Sequence, residues 1–282
     1  MVTATSALRW WQFLNPAIYL ISILPALLVV ILADQVIPEA FSLFISVLAV
    51  ILLQHAINLF NDVSDWNRGA DVQKMNSWVR LFDGNTRPVN QQAVLSLVIG
   101  CLTGLLILVL EEKLWVLLFA FPLMLLGYFY NAGTSPLAYT SMGEWVTGIC
   151  YGGVFAGLWI VAGLPLNIDL CIGAFSTGAL AMSLLLAHQS PQIETDRRVG
   201  KLSFCVRYGI AKTQACSVAL YLSSCLLIVL GILLDNGITT SAVLLLILVL
   251  ISTFVLHKSA PSPKSILLMS SGIIFMMLLL LT

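Results

Sequence analysis

Residues 61–71 read NDVSDWNRGAD and gather Asp62, Asp65 and Asp71 within ten residues of a chain that is only 9% charged. Followed backwards, Gln54, Asn58, Asn61, Asp62 and Asp65 are spaced so that they share one face of a helix. That helix is otherwise apolar, so the polar stripe must look into protein or a water-filled cavity, because polar groups facing acyl chains are costly. Carboxylates without basic neighbours on their own face suit a hard divalent cation, and Mg²⁺ usually arrives with a phosphate. A helix end that merely emerged into water would not need a polar face several turns long.

A second stretch, HQSPQIETDRRVGK at 188–201, repeats the logic: His188, Gln189, Gln192 and Asp196 lie at i, i+1, i+4 and i+8, with Glu194 turned elsewhere. Facing each other, the two polar ends would hold cations that a polyanion bridges. The adjoining segments add Arg68, Lys74, Arg80, Arg87, Arg197, Arg198 and Lys201, suited to neutralising phosphate oxygens. Acids ringed by Arg and Lys are what a diphosphate leaving group requires.

The elements that must position these groups are membrane helices. The chain of 282 residues is 60% hydrophobic, and its mean hydropathy is +1.01. That excludes a water-soluble domain and predicts a polytopic membrane protein. Apolar runs of spanning length fall at about 16–33, 40–61, 93–110, 114–130, 144–162, 168–189, 213–235, 239–256 and 264–281. The prediction is all-α: nine transmembrane helices in one domain over 1–282, two pseudo-symmetric four-helix halves plus a ninth helix. The first run reads as a retained helix rather than a signal peptide. Basic and acidic residues number 13 each, so net charge identifies no partner, and no nucleic acid is expected. The six cysteines have no CxxC spacing and read as buried small hydrophobes. With the N-terminus in the cytoplasm, twelve of the thirteen basic residues fall on the cytoplasmic side, and only Lys113, beside Glu111 and Glu112, is opposite.

These residues resemble the UbiA superfamily of intramembrane prenyltransferases. Asn61-Asp62-x-x-Asp65 followed by Gly69 and Asp71 is similar to the family's first Asp-rich motif, in the spacing of its dihydroxynaphthoate branch. IETDRRVGKLSFCVRYG at 193–209 and the Tyr139–Gly163 segment are also similar to that branch. The resemblance covers nearly the whole chain. It implies transfer of a polyprenyl group from its diphosphate to an aromatic acceptor such as a naphthoate, in the bilayer, with Mg²⁺ as cofactor. Asn61, Asp62, Asp65 and Asp71 would hold one ion and Asp196 with Gln192 the other; Arg68, Lys74, Arg87, Arg197 and Lys201 would grip the diphosphate. Asn58, Tyr130, Tyr139, Glu144 and His188 are candidates for the substrate pocket. The family usually carries Asp where this chain has Gln192; an amide offers a carbonyl oxygen but no charge, so the second Mg²⁺ is expected to be held weakly. The resemblance places the protein in a bacterial inner membrane with its site open to the cytoplasm. The rivals are a relative with another acceptor (hydroxybenzoate, homogentisate, porphyrin or glycerol phosphate) and a transporter. Against the latter, the charges sit at helix ends rather than at the midplane.

The charge asymmetry has a direct test. Single cysteines replacing Lys74 and Glu112, in a chain freed of its own cysteines, are expected to label from opposite sides of the membrane. Labelling from the same side would overturn the topology.

Overall fold

The computed structural model describes residues 19–33, 36–70, 77–237 and 239–281, and within these all regular structure is helical. Asp71 and Lys74 lie outside the described residues. The helices are α1 (Leu20–Ala33), α2 (Ala40–Asn67), α3 (Trp78–Leu81), α4 (Thr86–Leu110), α5 (Leu117–Asn131), α6 (Gly143–Val161), α7 (Ile168–Gln189), α8 (Ile193–Arg198), α9 (Phe204–Tyr208), α10 (Ile210–Asn236), α11 (Thr240–Ser259) and α12 (Pro263–Leu281). Among the described residues, eight stretches are long and apolar enough to cross a membrane, the one containing α7 running on through α8 to Arg198; α1 is a shorter apolar helix. The three shortest helices, α3, α8 and α9, follow the acidic and basic motifs.

Two helices overrun the apolar runs that announce them, and both overruns serve the site. α2 continues to Asn67, carrying its acidic turns beyond the apolar part. α4 begins at Thr86, where the Asn85 side chain accepts a hydrogen bond from the Arg87 N–H and caps the helix. The added turns bring Gln92 alongside α2.

α2 packs most extensively against α4, and α7 against α6 and α10. The main core, centred on Trp159, Phe155 and Tyr221, is built from α1, α6, α7, α10, α11 and α12. A small satellite of Leu59, Val63, Val79, Val89 and Ala93 locks α3 between α2 and α4 at the acidic end. At the other end, the Ser42 hydroxyl donates to Glu111, while Lys113 pairs with Glu111 at 3.9 Å and donates to the Val161 carbonyl at 3.2 Å.

Apolar side chains gain little by leaving lipid for a helix interface, so contact there depends on close backbone approach and interhelical hydrogen bonds. α6 and α7 meet along glycines. A Cβ on Gly178 would stand 2.7 Å from the Gly148 carbonyl oxygen, and one on Gly152 2.9 Å from that of Ala174. α7 and α10 are clamped by serines seven residues apart on each helix. The Ser183 and Ser217 hydroxyls donate to each other's carbonyls at 2.7 and 2.8 Å, and the Ser176 hydroxyl donates to the Ser224 carbonyl at 2.9 Å.

Gly178→Ala should force α6 and α7 apart and cost about 1–3 kcal/mol, the usual penalty of overpacking. Thermal unfolding in detergent is expected to show a clearly lowered midpoint, whereas Gly104→Ala, with open space around it, should not.

Candidate functional site

α2 and α8 end alike. After α2, the Ala70 N–H donates to the Asp65 carbonyl at 2.8 Å and the Gly69 N–H to that of Trp66 at 3.0 Å, with Gly69 at φ +83°. After α8, the Lys201 N–H donates to the Asp196 carbonyl at 2.9 Å and the Gly200 N–H to that of Arg197 at 3.2 Å, with Gly200 at φ +75°. Both are Schellman caps, in which glycine takes the left-handed turn that stops the helix. Asp65 and Asp196 hold the same position in each, the residue whose carbonyl accepts the closing bond that spans five residues rather than three.

The two ends converge. The Lys201 ammonium stands 3.6 Å from Asp65 Oδ2 and 3.9 Å from Asp196 Oδ1, bridging the motifs. Asp62, Asp65 and Asp196 are 5, 5 and 3% exposed, so their charges are held by protein rather than by bulk water. The Asn61 amide donates to Asp65 Oδ2 at 3.0 Å, and the Tyr139 hydroxyl donates to Oδ1 at 2.8 Å. The Tyr139 ring lies 5.0 Å from the Arg68 guanidinium carbon and 5.1 Å from Lys201 Nζ, a contact that favours cations over an aromatic face. Arg68 also donates to the Gly133 carbonyl at 2.7 Å, and the Leu202 N–H donates to that of Tyr139 at 3.0 Å. Tyr130 is half-buried beside these groups, its hydroxyl against Thr147 and within electrostatic reach of Lys201 and Asp65.

Asp62 has a role that spacing alone does not show. Its Oδ2 accepts from the Ser77 hydroxyl at 2.8 Å, the Trp78 N–H at 2.5 Å and the Val79 N–H at 3.3 Å. The carboxylate therefore receives the amide donors at the start of α3 and anchors that turn to α2. Asn58 is half-buried, on the same face.

The second polar face is broken where sequence makes it continuous. The helix changes to a 3-10 turn over Ser190–Gln192, with Pro191 inside it, and the register shifts. His188 is exposed and Gln192 half-buried, while Gln189 turns inward. Gln189 donates to Glu144 Oε1 at 2.9 Å and accepts from the Cys205 N–H at 3.3 Å. Glu144 also accepts from the Phe204 N–H at 2.7 Å and from Arg207 at 3.0 Å. This network joins α6, α7 and α9 and so anchors the segment that carries Lys201; sequence reading names Glu144 and Gln189 separately but not their pairing. Of the basic candidates, Lys201 reaches the acids, and Arg68 lies over the ring of Tyr139, which bonds one of them. Arg197 is exposed and paired with Glu194 at 3.2 Å, and Arg87 is exposed at the start of α4.

The comparisons with known proteins bear on the family and the fold. The family model described as "UbiA prenyltransferase family" matches residues 22–279. A 1,4-dihydroxy-2-naphthoate octaprenyltransferase of Bacillus subtilis is 28% identical over 204 residues, 71% of this chain and 65% of the relative. That of Mycobacterium tuberculosis is 31% identical over 162 residues, 56% of this chain and 55% of the relative. A chloroplastic 2-carboxy-1,4-naphthoquinone phytyltransferase of Arabidopsis thaliana is 30% identical over 177 residues, 58% and 45%. The matches thus span less than two thirds of each relative's length. Among solved structures, an apo UbiA homolog from Aeropyrum pernix K1 superposes with a TM-score of 0.68 at 14% identity, covering 92% of this chain and 94% of the other. A homolog from Archaeoglobus fulgidus bound to DMAPP and Mg²⁺ gives 0.66 at 16% identity, covering 96 and 98%. At such identities the likeness is one of fold.

Glu144→Ala should leave Arg207 and the Gln189 amide without their shared acceptor, at a cost of about 3 kcal/mol for breaking a largely buried pair. The expected readout is a lower unfolding midpoint together with faster proteolysis in the 199–209 segment.

Proposed function

Because the chain belongs to the UbiA prenyltransferase family, we propose that it transfers a polyprenyl group from its diphosphate to an aromatic acceptor of the dihydroxynaphthoate kind, as in menaquinone-type quinone synthesis. The observation that carries this reading is the meeting of two acidic helix ends, Asp65 and Asp196, on one cationic group. The naphthoate acceptor is supported by the names of the relatives from B. subtilis, M. tuberculosis and A. thaliana. The distribution of basic residues supports nine membrane-spanning helices, α1 being the first, with the N-terminus and the site on the cytoplasmic side. The bacterial relatives support placement in a bacterial cytoplasmic membrane.

The donors present fit Mg²⁺. They are hard oxygen atoms, and Asp65 and Asp196 already draw an ammonium to the point between them. Mg²⁺ commonly takes a few carboxylates and completes its shell with water and substrate phosphates. Asn61, Asp62 and Asp65 with Asp71 would hold one ion, and Asp196 with the Gln192 carbonyl a second, more weakly. Bound there, Mg²⁺ supplies positive charge to offset the negative charge that builds on a departing diphosphate.

The chain's own groups do the rest. Lys201 and Arg68, both held against the Tyr139 ring, present cations to the diphosphate oxygens as the carbon–oxygen bond breaks. The Tyr139 and Asn61 hydrogen bonds hold Asp65 in one orientation, so little reorganisation is needed when the substrate arrives. An allylic cation reacts readily with water, so the site must keep bulk water away while the bond breaks. The aromatic acceptor brings its own nucleophilic carbon, so no side-chain nucleophile is required.

Purified protein with Mg²⁺ and labelled geranylgeranyl diphosphate should prenylate 1,4-dihydroxy-2-naphthoate in preference to hydroxybenzoate or homogentisate. Asp65→Ala and Asp196→Ala should each lower turnover at least 100-fold, the usual scale for losing one element of electrostatic stabilisation, while the unfolding midpoint stays measurable. Turnover within tenfold of wild type for both would remove the acids from the mechanism. Gln192→Asp should lower the Mg²⁺ concentration giving half-maximal rate; an unchanged or higher midpoint would show that the amide serves another purpose.

A further inference from the structure

A second polar cluster lies deeper in α2, on the same side as the acids, and neither metal nor diphosphate binding requires it. Tyr19 Oη is 2.6 Å from His55 Nδ1, and Gln92 Nε2 is 3.0 Å from His55 Nε2. The three residues come from the start of α1, the middle of α2 and the first turns of α4. The edge of the Trp78 ring meets the His55 ring at 5.9 Å and 77°, and the Trp78 N–H is the one that donates to Asp62 at 2.5 Å. The cluster is thus joined to the acidic site through one tryptophan. His55 precedes Asp62 by seven residues, two helical turns, or roughly 10 Å along the axis.

Three features point to a ligand rather than to packing alone. First, Tyr19, His55, Gln92 and the neighbouring Asn58 are all half-exposed, although they lie on the polar side of α2. α1 and α4 both pack on α2, and the cluster joins all three helices. Secondly, the cluster carries no formal charge when His55 is neutral. It therefore suits uncharged hydroxyl groups rather than a diphosphate, and a prenyl chain has no use for it. Thirdly, both ring nitrogens of His55 are engaged, so its orientation is fixed, while Gln92 retains the carbonyl end of its amide and Tyr19 a lone pair to accept from hydroxyl groups. Flat aromatic walls beside such acceptors match a hydroxylated aromatic ring.

We propose that the Tyr19–His55–Gln92 cluster seats the hydroxyl groups of the aromatic acceptor, two turns below the carboxylates that face the diphosphate. The inference rests on the prenyltransferase reading given above and adds where the acceptor binds. The offset between the two clusters leaves space for the reacting prenyl carbon between them. The three residues are then binding residues for one substrate only.

The test measures the two substrates separately. Dissociation constants for 1,4-dihydroxy-2-naphthoate and for geranylgeranyl diphosphate with Mg²⁺ are determined by tryptophan fluorescence in detergent for wild type, His55→Phe, Gln92→Leu and Tyr19→Phe. Steady-state kinetics accompany them. In His55→Phe and Gln92→Leu the naphthoate constant and its KM should rise at least tenfold, with kcat at saturation within threefold and the diphosphate constant within twofold. Should His55→Phe fail to fold, Gln92→Leu and Tyr19→Phe decide the matter, since each removes one polar end of the cluster. Naphthoate constants within twofold of wild type in both would overturn the proposal and leave the cluster as a pin between helices. A wild-type protein that binds prenyl diphosphate but no naphthoate overturns this inference alone; one that binds neither overturns the prenyltransferase reading and this with it.

Discussion

An ammonium held between two carboxylates ties this molecule together at its working end. Lys201, Asp65 and Asp196 are mostly enclosed, where the attraction between opposite charges is far stronger than in water and a stranded charge is correspondingly costly. Neither α2 nor α8 could place its acid so deep without the other segment's contribution. The rest of that end follows from the bridge. The chain leaving Lys201 pairs with Tyr139, Tyr139 orients Asp65, and Arg68 closes over the same ring while holding Gly133. Four separate segments are brought to one point by three charges. Binding a metal–diphosphate complex there would exchange one set of ionic partners for another, with no need to bury new charge.

The bundle supporting this point is unequal in its two parts. α7, with the glycine contacts to α6 on one side and serine clamps to α10 on the other, is the most enclosed of the spanning stretches. α2 is far less covered, and its middle turns are half-open. Hydrogen bonds between serines and close main-chain contacts give α7 and α10 few alternative arrangements, which makes them a fixed frame. The division follows from physical chemistry: a helix that must receive a ligand cannot also be fully packed.

Much of this was legible in the amino-acid order, because a bilayer permits few solutions. Apolar runs of spanning length gave the helices, and the polar face ending in Asp62 and Asp65 marked the site. The pairing of that face with the stretch containing Asp196 was also foreseeable. What failed was continuity of the second face. Pro191 sits in a 3-10 turn that resets the register, so His188 lies outside and Gln189 inside. Lys201 could be read as a cation for phosphate but not as the partner of an acid 136 residues earlier, because such pairings are set by tertiary contact. The capping of α3 by Asp62, and the enclosure of Glu144 by Gln189, Phe204 and Arg207, are long-range in the same sense. Asp71 and Lys74 fall outside the described residues and stay as sequence expectations.

The matching helix ends at Asp65 and Asp196 have one more consequence, for how this site can change over generations. Each acid is located by main-chain hydrogen bonds to a glycine turn four and five residues on, so its placement depends little on the side chains between. Neighbouring positions are then free to drift without moving the carboxylate. The positions between Asp196 and Gly200 can vary while the geometry of Asp196 persists. A scaffold of this sort lets new substrate preferences accumulate at the rim while the centre is inherited intact.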